Sequence, residues 1–344
     1  AYSNRSQLLM LAQLTAEAIE AGERAIELAR ELDDTATLVH AQTNVGTARM
    51  AEDPRIRVMT ADLVGSCALK KIEADHRDQF INVGIAEQNM VSIAAGLAHE
   101  GMIPFTYTFA VFHAMRSCEQ VRTDVFYNEQ NVKVIGTHCG VSTGQAGSTH
   151  FALEDIAILR GMPKSVVLVP SDPVSAAETA DVAYQCPHGV YVRLDRNPAP
   201  ALYQAGERFS IGKAHVLKDG ADIVLFAAGT AVHAALEAAA MIESRENLSV
   251  AVVDLYSIKP LDVACVTRYA GKCRHAFTIE EHNVCGGVFG AVAECIVRTS
   301  RGCTLHPIAI EETYPHGNTV ERARELLGLD ADGITETVCR AIKE

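Results

Sequence analysis

The sequence has no tryptophan and only 6% aromatic residues, although 48% of its residues are hydrophobic. Such an aliphatic, small-residue-rich composition excludes a disordered or fibrous chain and suits a soluble α/β protein. Basic residues are also in deficit: 30 Lys and Arg stand against 43 Asp and Glu, a net charge of −13. That balance excludes a surface built for nucleic acid or anionic membrane, which needs clustered cations. Small molecules and other proteins are the expected partners. No cysteine pair has the C-x-x-C spacing of a zinc or redox site; the ten cysteines are scattered singly and read as reduced, mostly buried thiols. No run of about 18 apolar residues occurs, and the first ten residues lack the basic flank and apolar core of a signal peptide. We therefore expect a cytoplasmic protein with neither export nor membrane insertion.

The 344 residues are enough for about two domains. Over residues 1–34 apolar side chains such as Leu8, Leu11, Ile19, Ile26 and Leu32 recur at helical spacing, which predicts a helical extension. From Thr35 the pattern alternates. Short β-branched runs at Ile56–Thr60, Phe80–Val83, Ile103–Phe109, Val132–Thr137, Ser165–Val169 and Val190–Leu194 are separated by helical patterns such as Glu87–His99 and Glu119–Tyr127. This predicts a first α/β domain over 35–197 with a mostly parallel sheet covered by helices. Pro198 and Pro200 resist both helix and sheet, so a linker is expected over 198–210. A second alternating unit fills 211–344, with strands at Ile223–Ala227, Ser249–Asp254, Ala276–Glu280 and Ile308–Ile310 and helices near Val232–Ile242, Cys265–Ala270, Val288–Arg298 and Ile334–Ile342.

Three segments could carry chemistry. Glu87 follows a strand end and opens a helix whose other residues are apolar and small. It is either a helix-N-terminal acid complementing the macrodipole or a buried carboxyl that needs a partner. Phe109 and Phe112, three apart at a strand-to-helix junction, either pack in the core at helical spacing or wall a pocket for a flat heterocycle. His138 and His150 flank a loop holding Gly144 and Gly147. The glycines let the backbone approach a ligand, and the histidines could donate, accept or exchange protons near neutral pH, although a single histidine is more often structural. Their spacing is not that of a metal site, and no protein-held metal is expected.

Taken in order, I-A-E-Q-N at Glu87, T-F-A-V-F at Phe109 and Phe112, H-x5-G-x2-G-x-T-H from His138 to His150, and V-P-S-D at Asp172 resemble the pyrimidine-binding domain of transketolase-type thiamine diphosphate enzymes. The segments D-L-Y-S-I-K-P-L-D from Asp254 and I-E-E-H-N-V-C-G-G from Ile279 resemble that family's C-terminal domain. The resemblance runs from about residue 36 to the end. It implies that Glu87 hydrogen-bonds N1′ of the aminopyrimidine and shares the proton that sets its tautomer. It further implies that Phe112 stacks on the pyrimidine, Phe109 walls the pocket, and Asp62 and Met115 lie beside the cofactor. His138 and His150 would contact sugar hydroxyls, and Ser66 and Arg196 an acceptor phosphate.

The family holds Mg²⁺ (or Ca²⁺) and the diphosphate with G-D-G followed about 25–30 residues later by Asn, and this sequence has no such element. The resemblance therefore implies one chain of a split enzyme, with an N-terminal-type subunit supplying the diphosphate-binding domain in an α2β2 assembly. Three positions depart from the family pattern. Ala146 stands where an acidic residue usually meets the donor, Met115 where an aromatic is frequent, and Leu38 near a frequent phosphate-binding Arg. Leu38 cannot replace a charge-assisted contact, so a substrate other than the usual pentose phosphates is expected. The expected activity is transfer of a two-carbon ketol unit from a ketose to an aldose. The alternatives are a thiamine-dependent decarboxylating subunit, 2-oxoacid-dehydrogenase-β-like or deoxyxylulose-phosphate-synthase-like, and a non-catalytic partner chain.

Overall fold

The computed structural model describes residues 50–299 and 302–343. The expected N-terminal helix over 1–34 and the departure at Leu38 lie outside the described residues. The chain forms two α/β units, each with a mainly parallel sheet and helices interleaved between its strands. The first sheet contains β1 (Ile56–Thr60), β2 (Phe80–Asn82), β3 (Ile103–Phe109), β4 (Lys133–Thr137), β5 (Val166–Leu168), β6 (Val190–Arg193) and β10 (Ser257–Lys259). Its seven strands lie in the order β10-β5-β6-β4-β3-β1-β2. The second contains β7 (His215–Lys218), β8 (Ile223–Ala227), β9 (Val250–Asp254), β11 (His275–Asn283) and β12 (Thr304–Ile310), five strands in the order β12-β11-β8-β9-β7.

Every neighbouring pair is parallel except β7 on β9 and β10 on β5. The strands β4, β8 and β9 are buried at every residue; β8 and most of β9 accordingly read as continuous apolar runs rather than alternating ones. Phe226 on β8 and Phe277 on β11 are fully buried; each contributes about 1.5–3 kcal/mol relative to an exposed ring.

Helices α1 (Lys70–Asp75), α2 (Glu87–His99), α3 (Asp155–Gly161) and α4 (Pro173–Gln185) belong to the first unit. Helices α5 (Ala231–Glu246), α6 (Val263–Lys272), α7 (Val288–Thr299), α8 (Val320–Leu327) and α9 (Ala331–Ala341) belong to the second. Their starts are chemically marked. Asp172, Asp262, Thr319 and Asp330 each accept a bond from a first-turn backbone N–H, satisfying donors that the helix cannot. Asp172 also receives Leu202 N at 2.8 Å and Tyr203 N at 3.1 Å. One carboxylate thus starts α4 and fixes the segment that leaves the first unit.

Two strands escaped the sequence reading. Strand β7 is half-exposed at a sheet edge, and β10 has three residues, too few for a period to show. Strand β10 follows β9 of the second sheet yet pairs with β5 of the first, so the second half of the chain completes the first half's sheet. Between β3 and β4 the wall is formed by two π-helical stretches, Phe112–Arg116 and Val121–Tyr127, around a short turn at Cys118–Gln120; an α-helical pattern was expected over 119–127. Among the described residues no helix is long and apolar enough to cross a membrane.

Candidate functional site

The candidate residues gather beyond the carboxyl ends of β1, β2, β3 and β4, where parallel strands hand over to loops and helices. After β2, Gly84 adopts φ +75°, a left-handed conformation that glycine reaches without strain. Asn82 Oδ1 accepts from Gly84 N at 3.0 Å and Asp62 N at 3.1 Å, which ties the turn to the end of β1. The chain then enters α2 with Glu87 as its first residue. Small and flexible side chains on the buried face, Met90, Val91, Ala94 and Ala95, let the helix lie close to the sheet. Glu87 is only 3% exposed, and its Oε1 accepts from Arg116 Nη1 at 2.7 Å.

Phe109 closes β3, and Phe112 opens the first π-helical stretch. Their rings stack with centroids 5.4 Å apart and planes 13° from parallel. The widened turn is held by Ser117 N donating to Phe112 O at 3.0 Å, an i to i+5 bond, while Ser117 Oγ donates to His113 O at 3.2 Å. Such π-bulges recur at functional sites. Here the bulge ends on Arg116, whose guanidinium carbon lies 4.0 Å above the Phe112 ring centroid, a favourable cation–π placement. His113 points the other way: it is fully buried, within 3.2 Å of Thr106 O, and burial pushes its pKa down to about 4.

His138 follows β4 with φ +58° and stacks on Phe109 at 3.9 Å. Thr137 Oγ1 donates to Thr108 O at 3.3 Å and lies 2.9 Å from His138 Nδ1. The hydroxyl proton being committed, His138 donates through Nδ1–H and keeps Nε2 as an acceptor, a tautomer assigned from the bonding network. Burial first, then the Arg196 guanidinium, lower its pKa to about 4, so the ring is neutral near pH 7. His150 meets the Phe109 and Phe112 rings edge-on at 6.1 and 5.7 Å. The loop between the histidines rests on the second unit: Ser148 Oγ donates to Pro315 O at 2.5 Å, and Gly144 and Gly147 pass beside Asn318 O and the Gly317 backbone.

Glu87, Phe109, Phe112, His138 and His150 therefore form one continuous cluster. Asp62 is tied through Asn82 to the turn that precedes Glu87, and the charge of Arg196 is felt at His138. Ser66 is exposed in the turn before α1, and Met115 is exposed on the π-helical stretch. Ala146 is exposed at the tip of the histidine loop.

Sequence reasoning missed Arg116, whose four-residue spacing from Phe112 was the available signal. It also left the Glu280–Asn283 segment without a physical role. Glu281 Oε2 accepts from Val141 N at 3.3 Å, and its other oxygen pairs with Arg324, which also reaches Asp195 at 3.2 Å. Glu280 accepts from Val288 N at 2.6 Å and Phe289 N at 2.8 Å, starting α7; burial raises its pKa to about 7. His282 Nδ1 donates to Asn283 O at 2.7 Å while Nε2 accepts from Ala157 N at 3.3 Å. These three residues fasten the histidine loop, α7 and α3 to one strand.

A buried carboxylate at one edge and an aromatic face below it, bridged by a planar N–H donor, make a donor set that suits a flat nitrogen heterocycle. The fit extends to the aminopyrimidine end of thiamine diphosphate, and Glu87 and Phe112 would hold it.

The family model for the pyrimidine-binding domain of transketolase matches residues 35–200, and that for the transketolase C-terminal domain matches residues 212–334. The chain is 35% identical over 294 residues to an apulose-4-phosphate transketolase subunit of Phocaeicola vulgatus, covering 85% of this chain and 93% of that one. It is 34% identical to the 6-deoxy-6-sulfo-D-fructose transketolase subunit SqwH of a Clostridium species, covering 82% and 87%. A solved structure described as a split gene transketolase, inactive beta4 tetramer, superposes with a TM-score of 0.80 at 34% identity, covering 87% of this chain and 96% of that one.

Proposed function

Since the chain belongs to the transketolase family, as a split-type chain spanning the pyrimidine-binding and C-terminal domains, we propose that it is one subunit of a ketol-transferring enzyme. The reaction moves a two-carbon unit from a ketose donor to an aldose acceptor. Activity requires a second chain carrying the diphosphate and Mg²⁺ domain, in an α2β2 assembly. The solved relative described as an inactive tetramer of beta chains supports a dependence on that second chain.

When bound, thiamine diphosphate would supply the nucleophilic carbon for two-carbon transfer, and the residues of this chain would hold its pyrimidine end and the sugar from one side. Glu87, at the amino end of α2 and nearly excluded from water, shares a proton with N1′ of the aminopyrimidine. Phe112 offers a stacking face, with Phe109 behind it. His138, held neutral by burial, presents Nε2 to a sugar hydroxyl as an acceptor, and His150 lies at the same mouth. Arg196 beside His138 provides positive charge where a substrate anion would lie. The two relatives named for a phosphorylated and a sulfonated sugar support a modified ketose rather than the usual pentose phosphates as substrate.

The observation that carries this reading is the buried Glu87 carboxylate joined through Arg116 to the Phe112 ring, with Phe109 and the two histidines packed around that ring and its neighbour. It is tested by reconstituting the chain with its partner and assaying ketose donors with aldose acceptors, and pyruvate separately. Ketol transfer is expected, and Glu87→Gln should reduce it about 10²–10⁴-fold. Turnover of pyruvate alone would overturn ketol transfer, and unchanged activity in Glu87→Gln would make this chain a non-catalytic partner.

A further inference from the structure

Glu87 and Phe112 supply the two contacts that a flat cofactor ring needs, and in this chain one side chain takes both. Arg116 Nη1 donates to Glu87 Oε1 at 2.7 Å while its Cζ lies 4.0 Å over the Phe112 ring. A guanidinium is planar, bears N–H donors on its edge and stacks on aromatic faces, so it reproduces both halves of aminopyrimidine recognition. A centroid distance of 4.0 Å leaves no room for a second planar group on that face. The Arg116 side chain is 46% exposed, whereas that of Glu87 is 3% exposed; the cation can swing into water and the carboxylate cannot. The π-helical turn fixes where the arm is rooted, since its wide i to i+5 bond spans Phe112 to the residue after Arg116.

We propose that Arg116 is a placeholder for the cofactor's pyrimidine: it keeps Glu87 paired and Phe112 covered until the cofactor binds, and is displaced when the ring enters. This rests on the functional reading above, because the ring displaced is that of thiamine diphosphate. The contacts that the cofactor gains are partly offset by those Arg116 surrenders, which makes Arg116 a determinant of affinity rather than a catalytic residue. Apart from cofactor, the arm spares a nearly buried carboxylate from standing alone.

The test is titration of thiamine diphosphate with Mg²⁺ into the reconstituted wild-type and Arg116→Ala complexes, read by calorimetry, with melting curves of both forms. Removing the competing guanidinium should tighten binding about five- to tenfold, the combined worth of a half-exposed ion pair and a cation–π contact. It should also lower the melting temperature of the complex without added cofactor more than that of the complex saturated with it. Equal or weaker binding by Arg116→Ala would overturn the placeholder, weaker binding meaning that Arg116 helps to hold the ring. If Arg116→Ala does not fold, Arg116→Gln keeps much of the stem without the charge and reads the same affinity. A wild-type complex that binds no thiamine diphosphate would overturn the functional reading and the placeholder together, whereas wild-type binding without tightening in the variant removes only the placeholder.

Discussion

Arg193 on β6 and Asp155 at the start of α3 form an ion pair at 2.8 Å with both side chains buried. The same Asp155 oxygen accepts from Tyr191 OH at 2.7 Å, and Arg193 Nη2 continues to Ala152 O at 3.2 Å and Glu281 O at 2.9 Å. A strand of the first sheet is thereby bonded to a helix beside it and to the strand of the second sheet that anchors the histidine loop.

Breaking that pair from one side should be severe. Asp155→Ala leaves the Arg193 guanidinium buried without its counter-charge, a change that costs about 3–5 kcal/mol. The shift of the urea midpoint measures it, and a loss below about 1 kcal/mol, the worth of an exposed pair, would mean that water reaches Arg193.

Stability should peak between about pH 6 and 7. Burial lowers the pKa values of His113, His138 and His282 to about 4, and those of His215, His233 and His275 in the same direction. The unfolded chain therefore binds more protons below about pH 6.5, and stability falls as pH drops from there through about 4. Burial raises Asp254 and Glu280 to about 7; their contribution is complete below the unfolded carboxylate range and is lost as pH rises through about 7. Melting temperatures from about pH 4 to 8 check both limbs. Asp254→Asn should flatten the upper limb, and an upper limb unaffected by that change would remove Asp254 from the account.

Gly287→Ala should destabilise the chain by about 1–3 kcal/mol, the usual range for overpacking. A Cβ there would lie 2.1 Å from Glu280 Oε2, so the carboxylate would have to leave the N–H groups of Val288 and Phe289. A thermal midpoint equal to wild type would show that Glu280 is not held in place.

His138→Gln should lower kcat/KM for ketol transfer about 5- to 30-fold, the worth of a hydrogen bond lost with its partner left buried. Because His138 is already neutral, the ratio of wild-type to variant rates should stay constant from about pH 6 to 8. A ratio that changes across that range would mean that His138 titrates in catalysis.

The strands that carry the site were legible because β1, β3 and β4 are short stretches rich in β-branched and aromatic residues and largely buried. The places of Glu87, Phe109 and His138 were legible because each sits at or just after the end of a strand pattern; His150 was marked only by the glycine loop before it. Local patterns cannot register pairings between elements. Arg116 and Glu87 are 29 positions apart, and Arg193 and Glu281 are 88 apart; the fold alone brings each pair together. The π-helical turn has no propensity signature, and β10 has no period to read.

Strand β10 gives the molecule a second, non-covalent fastening between its halves. It hydrogen-bonds to β5 after the chain has already made β7, β8, α5 and β9 of the second unit, so peptide continuity through residues 198–210 is not what keeps the halves together. A chain nicked in that stretch should elute as one particle in native gel filtration and separate only in denaturant, and the two pieces produced as separate polypeptides should reassemble. The halves share a sheet, and their boundary is a seam rather than a hinge.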